Sequence, residues 1–153
     1  MCRLGRWVFV YEIDNIPDMK KLMLYTTGEW KVDPNKDITF PLVRWLFKLF
    51  PILDGSEIEI NQVDLGDEFA YGFCQEDDGE FLIHVHNHMD LKEYVKTLIH
   101  EITHVRQTLD GITDSNAREN EAYHLEEVLS KEFWDSYISC LLYTSDAADD
   151  TPC

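Results

Sequence analysis

The chain has 153 residues, 44% apolar and 12% aromatic, which suits one domain with a real hydrophobic core. Its 30 acidic residues against 13 basic ones give a formal charge of −17, a surface that repels nucleic-acid phosphates and anionic membranes. No stretch approaches the length of a transmembrane helix, and Arg3 and Arg6 lead into only a short apolar run, so neither a nucleic-acid nor a membrane partner is expected and a cytoplasmic location is.

In chain order, Arg6 to Asp14 reads as a strand, and Lys20 to Lys31 is ambiguous. Asp33-Pro34-Asn35 is a turn signal. The apolar region from Pro41 to Leu53, broken by Arg44 and Lys48, predicts an amphipathic helix near Pro41 to Phe50. After a turn at Asp54-Gly55, Glu57 to Leu65 alternates as a strand and Phe69 to Cys74 reads as another. Asp77-Asp78-Gly79 predicts a hairpin turn into a third strand, Phe81 to His86. There His84, His86 and His88 share one face by alternation. The spacing could suit a second metal site, but the ordinary polarity of an exposed strand face is the main expectation. Cys2, Cys74, Cys140 and Cys153 show no C-x-x-C spacing, which argues against a zinc ribbon, a thioredoxin-like site or a secreted disulfide framework.

The most specific feature follows: His100-Glu101-Ile102-Thr103-His104, an H-E-x-x-H motif. Leu91, Val95, Leu98, Ile99, Ile102, Val105 and Leu109 recur at helical spacing and form one apolar stripe. Asp90 is the expected N-cap with Glu93 three residues on, and Asp110-Gly111 is the stop. On that helix His100 and His104 lie about 40° apart, away from the stripe, so both rings can reach one metal ion. The Glu beside the first His is placed to act as general base on a metal-bound water.

Two His need a third protein ligand. Ala117 to Trp134 is again helical in pattern, with Ala122, Leu125, Leu129 and Phe133 on its apolar side. It carries two candidates, Glu119 and Glu121. They lie about 200° apart on a helix, so one at most can face the metal, and periodicity does not choose between them. Glu119 has a competing use at position N3 if Asn116 caps the helix. Glu121, Glu126 and Glu127 also fit a solvated helix face.

From Glu80 to Trp134 the chain resembles the gluzincin metallopeptidases, especially small cytosolic members encoded by phages and bacteria. In these a Glu on the helix after the H-E-x-x-H helix completes the site, often as E-x-x-A with Asp, Asn or another polar residue following, Asp or Asn being common. Matched to that pattern, Glu119 is the ligand and Ala122 the small residue. Tyr123 departs from it, leaving open which group orients the histidines. The resemblance implies an α+β, zincin-like fold, with a small, mainly antiparallel sheet packed on an active-site helix and a following Glu-bearing helix. It implies one Zn²⁺ on His100, His104 and Glu119, Glu101 as general base, and a peptide or protein substrate. It also implies a strand before the metal helix, carrying His84 and His86, that offers its edge to substrate. Tyr123, His124 and Tyr94 are then candidates for steadying the transition state or the ligands, with solvent exposure the competing expectation. The SprT-like proteases that act on DNA-bound proteins share H-E-x-x-H, but the acidic balance and the missing zinc ribbon argue against them. A zinc-binding regulatory or phage structural protein with little turnover is the alternative from another class.

The run from Cys140 to Asp150 has no helix or strand pattern and resembles the translation of a transposon-end sequencing adapter, as in a metagenomic gene fragment. The expected organisation is therefore a single domain over residues 1–139, with residues 140–153 not native to it.

Overall fold

A computed structural model describes residues 7–13, 20–66 and 72–147. Strands β1 (Trp7–Ile13) and β2 (Lys20–Gly28) are followed by helix α1 (Asp33–Leu49), a single 3₁₀ turn (Pro51–Leu53) and β3 (Glu57–Val63). Then come β4 (Gly72–Asp77), β5 (Glu80–His86) and the helices α2 (Leu91–Leu109) and α3 (Ser115–Ala147). This is an α+β arrangement, as expected. Among the described residues no helix is long and apolar enough to cross a membrane.

The strands form one sheet in the order β1-β2-β3-β5-β4. The β1–β2 and β4–β5 pairs are antiparallel, while β2–β3 and β3–β5 are parallel. The sheet is thus mixed, which corrects the expectation of a mainly antiparallel one. The physical reason is α1: a helix between β2 and β3 returns the chain to the same end of the sheet, which makes the two strands parallel. With Lys20 to Lys31 unassigned, that crossover was invisible. The β4–β5 hairpin does form as predicted, with Asp77 opposite Glu80 and both turn residues, Asp78 and Gly79, at positive φ.

Alternation explains the strands. In β3, Ile58, Ile60 and Gln62 point to the helices, and in β5, Phe81, Ile83 and Val85 do the same. Their neighbours Glu59, Asn61, Leu82, His84 and His86 stay half-buried on the opposite face. Residues 67–71 lie outside the described residues, as do Arg6 and Asp14 of the expected first strand.

Asp33-Pro34-Asn35 forms the first turn of α1 rather than a separate turn. Proline suits that position because the first N–H groups of a helix have no intrahelical partner. Pro41, the expected start, lies inside the helix. Leu42, Val43, Leu46 and Phe47 of α1 are buried against the core. Asn35 Nδ2 donates to the Met89 carbonyl at 2.9 Å, tying the start of α1 to the approach of α2.

The boundaries of α2 match the sequence expectation. The Glu93 N–H donates to Asp90 Oδ1 at 2.9 Å, and Gly111 follows the helix at φ 79°. Tyr94, Val95, Leu98, Ile99, Ile102 and Val105 are fully buried. So are Thr103 and Gln107, because α2 is covered by the sheet, α1 and α3 rather than on one side only. The Tyr94 hydroxyl meets Thr39 Oγ1 at 2.6 Å, fixing α2 against α1 inside the core.

The cap of α3 is Asp114, whose Oδ2 accepts from the Ala117 N–H at 2.8 Å. This sets aside the competing use of Glu119, which required an Asn116 cap to place it at N3. Pairs between α2 and α3 run in opposite order, from Lys96–Glu127 through His100–Glu126 to Arg106–Glu121, so the two helices form an antiparallel hairpin. α3 continues past residue 139 to Ala147, through part of the run expected to lack helix pattern. Residues 148–153 lie outside the described residues.

Candidate metal centre

The helical hairpin and the outer strand β4 enclose a cleft of about 520 Å³. One face of α2 supplies Glu93, Thr97, His100, Glu101 and His104, and α3 supplies Glu119, Tyr123 and Glu126. Gly72, Phe73 and Cys74 of β4 complete the wall. A Cβ on Gly72 would stand 2.7 Å from the His84 carbonyl oxygen and 3.7 Å from Glu101 Cγ, so β4 approaches this closely only as glycine.

One ligand atom from each of His100, His104 and Glu119 lies within 4.8 Å of the others. Glu119 Oε1 is 2.8 Å from His104 Nε2, and its Oε2 is 3.7 Å from His100 Nε2. Among the described residues no other trio of His, Cys, Asp or Glu groups is gathered this way. Two imidazole nitrogens and a carboxylate are donors that zinc accepts, so the residues fit the ion that the sequence implied.

The alternative ligand Glu121 is turned away. It accepts from Gln107 Nε2 at 2.8 Å and pairs with Arg106. The hydrogen bond from Gln107, with the Arg106 charge beside it, holds the Glu121 carboxyl below its ordinary range. A carboxylate so engaged is not free to ligate.

Both candidate histidine ligands are tied back through Nδ1. His100 Nδ1 lies 2.8 Å from Glu126 Oε1, and His104 Nδ1 lies 2.9 Å from Gln107 Oε1. The sequence reading missed both partners. Glu126 was grouped with a solvated helix face, and Gln107 was not singled out. The available signal was position: Gln107 follows His104 by three residues, within reach on one helix face.

Glu101 is only 5% exposed and opens on the cleft. Burial pushes its carboxyl up to about 7, with Glu119 and Glu126 adding to the rise and His100 opposing it. That range suits a group that must both take and give a proton near neutral pH. Burial also lowers the His104 imidazole, favouring the neutral form that ligates. Cys74 is pushed up to about 12, first by burial and then by the charge of Glu101.

The remaining expected site residues are placed as follows. Tyr123 is 60% exposed and lines the cleft, its ring edge-on to His100 with centroids 4.8 Å apart. His124, next to it, is exposed and is not among the residues lining the cleft. Tyr94 is fully buried in the core and is likewise absent from the cleft wall.

His84 and His86 are on the far face of the sheet. His84 stacks on Phe73 and bonds Asn61 and Gln75, while His86 Nδ1 accepts from the Leu65 N–H. Moreover β5 is paired on both sides, by β3 and β4, so it has no free edge. The expected edge strand is therefore corrected to β4, which pairs on one side only among the described residues. Its position is set by the hairpin, which folds β4 outside β5.

Compared with known protein families, curated proteins and solved structures, the chain matches none. Fold and site together define an α+β protein whose His-His-Glu group could hold a metal ion.

Proposed function

We propose that this protein is a zinc-dependent metallopeptidase of gluzincin type. The observation that carries the reading is the convergence of His100, His104 and Glu119 at the floor of a cleft that also holds the buried Glu101. His100 and His104 would hold zinc through Nε2 and Glu119 through its carboxylate. When bound, zinc supplies Lewis acidity, which acidifies water and polarises a carbonyl.

Everything else falls to the chain's own groups. The Glu101 carboxylate takes the proton of the attacking water and then delivers it to the leaving amine nitrogen. The rise of its pKa toward neutrality matches that double task. β4, which among the described residues pairs with β5 alone, would take a substrate peptide in extended form as a further strand beside the cleft. Tyr123 flanks it from α3.

The test is a comparison of wild type with Glu101→Gln. Wild type should contain zinc and cleave an unstructured protein such as casein, and lose that activity to a chelator. The variant should retain zinc and lose cleavage. Full activity in the variant would refute the mechanism. Zinc without cleavage of any peptide library would instead favour the regulatory or structural role.

A further inference from the structure

We infer that Glu126 and Gln107 are positioning residues of the metal centre, holding His100 and His104 by Nδ1 so that both Nε2 atoms are turned to the point, shared with Glu119, where a metal ion would bind. The inference rests on the metal-binding reading above, and its test separates the two.

A carboxylate only accepts, so the 2.8 Å contact with Glu126 Oε1 puts a proton on His100 Nδ1. In the neutral ring Nε2 is then left as a bare lone pair. Glu126 and His100 are both largely buried, with side-chain exposures of 16% and 11%, so water does not compete strongly for the bond.

The His104 side reaches the same end with a neutral group. Gln107 is fully buried, and its amide can be oriented from its neighbours. Nε2 donates to the Arg118 carbonyl oxygen at 2.9 Å and to Glu121 Oε1 at 2.8 Å, and both of these can only accept. Oε1 must therefore be the end facing His104 Nδ1, which donates to it. Glu121, itself paired with Arg106, thus serves as the anchor of the amide that aims His104.

This assigns the orienting role that the departure at Tyr123 left open. Tyr123 meets His100 ring to ring, while the carboxylate comes from Glu126, seven residues after Glu119 and on the same side of α3. Two helices thus supply the two devices: α3 the charged acceptor, α2 the neutral one.

The test uses the full chain loaded with zinc, with affinity read by competition against a chromophoric chelator. A second readout is the visible absorption of the cobalt-substituted protein, which reports ligand geometry. Glu126→Leu and Gln107→Leu should each weaken zinc binding by about 10–100-fold and alter the cobalt spectrum. Glu126→Gln, which can still accept from Nδ1 through its amide oxygen, should stay near wild type.

If both leucine variants keep wild-type helical signal, affinity and cobalt spectrum, the positioning role is overturned. If Glu126→Gln loses as much as Glu126→Leu, charge rather than orientation matters at His100, and the role is overturned there too. That variant also supplies the reading should Glu126→Leu fail to fold. A wild type that takes up no zinc refutes the metal-binding reading itself, which none of the variant outcomes does.

Discussion

Glu101 is a buried acid that opens on the cleft, and Glu101→Gln measures what its burial costs the fold. The buried carboxyl is raised from its ordinary value of 4.5 to about 7, chiefly by burial. A carboxyl raised on folding binds its proton more tightly in the native state. Below pH 4.5 both states are protonated and the site costs nothing. As pH rises from 4.5 to 7 the unfolded chain ionises first, and native stability falls. Above 7 the penalty is complete. At 1.36 kcal/mol per unit the shift is worth on the order of 3 kcal/mol. Glutamine has the shape of the protonated acid and never ionises, so the variant escapes the penalty. Chemical denaturation of metal-free protein in chelator, at pH 4.5 and pH 8, measures this directly. The variant should gain about 3 kcal/mol over wild type at pH 8 and a few tenths at pH 4.5, an estimate from the same linkage. Equal stability of the two proteins at pH 8 would refute the reasoning, because the carboxylate would then be well solvated or paired in the fold.

Two further outcomes follow from the site. Glu119→Ala should abolish stoichiometric zinc binding, whereas Glu121→Ala should keep zinc with an affinity loss of less than about tenfold, since it removes one of two acceptors of the Gln107 amide. Metal analysis of the two variants beside wild type checks this, and loss of zinc in Glu121→Ala alone would reverse the ligand assignment. Cys74, pushed up to about 12, holds only about one part in ten thousand as thiolate at pH 8. Alkylation followed by peptide mass analysis should find it slow in the native protein and fast after unfolding, and native alkylation at the rate of a free thiol would contradict the raised pKa of this half-buried thiol.

Much of the local structure was legible in the residues themselves. Asp90 and Glu93 announced the start of α2, and Gly111 its end, because caps and stops act through groups a few positions away. The strands β3 and β5 were legible because burial on one face imposes a period of two. α1 was read two turns short because Asp33-Pro34-Asn35 suits a turn and a helix start equally well. The shared face of His100 and His104 follows from helical geometry alone.

The chain by itself therefore determined the H-E-x-x-H helix, its ends, and the side of it that carries the histidines. Tertiary structure alone decided which acidic residue joins them. Glu119 and Glu121 are equivalent to any rule of periodicity, and only the antiparallel seating of α3 on α2 turns Glu119 to the histidines and Glu121 to Arg106 and Gln107. The same seating brings Glu126 to His100, across 26 residues of chain. Sheet order was equally non-local: β5 reads as a cleft strand, yet the hairpin that follows β4 inserts it between β3 and β4 and leaves β4 at the edge. Spacing along a chain reports the face on which a side chain emerges, but what that face meets is set by packing between elements that spacing does not describe.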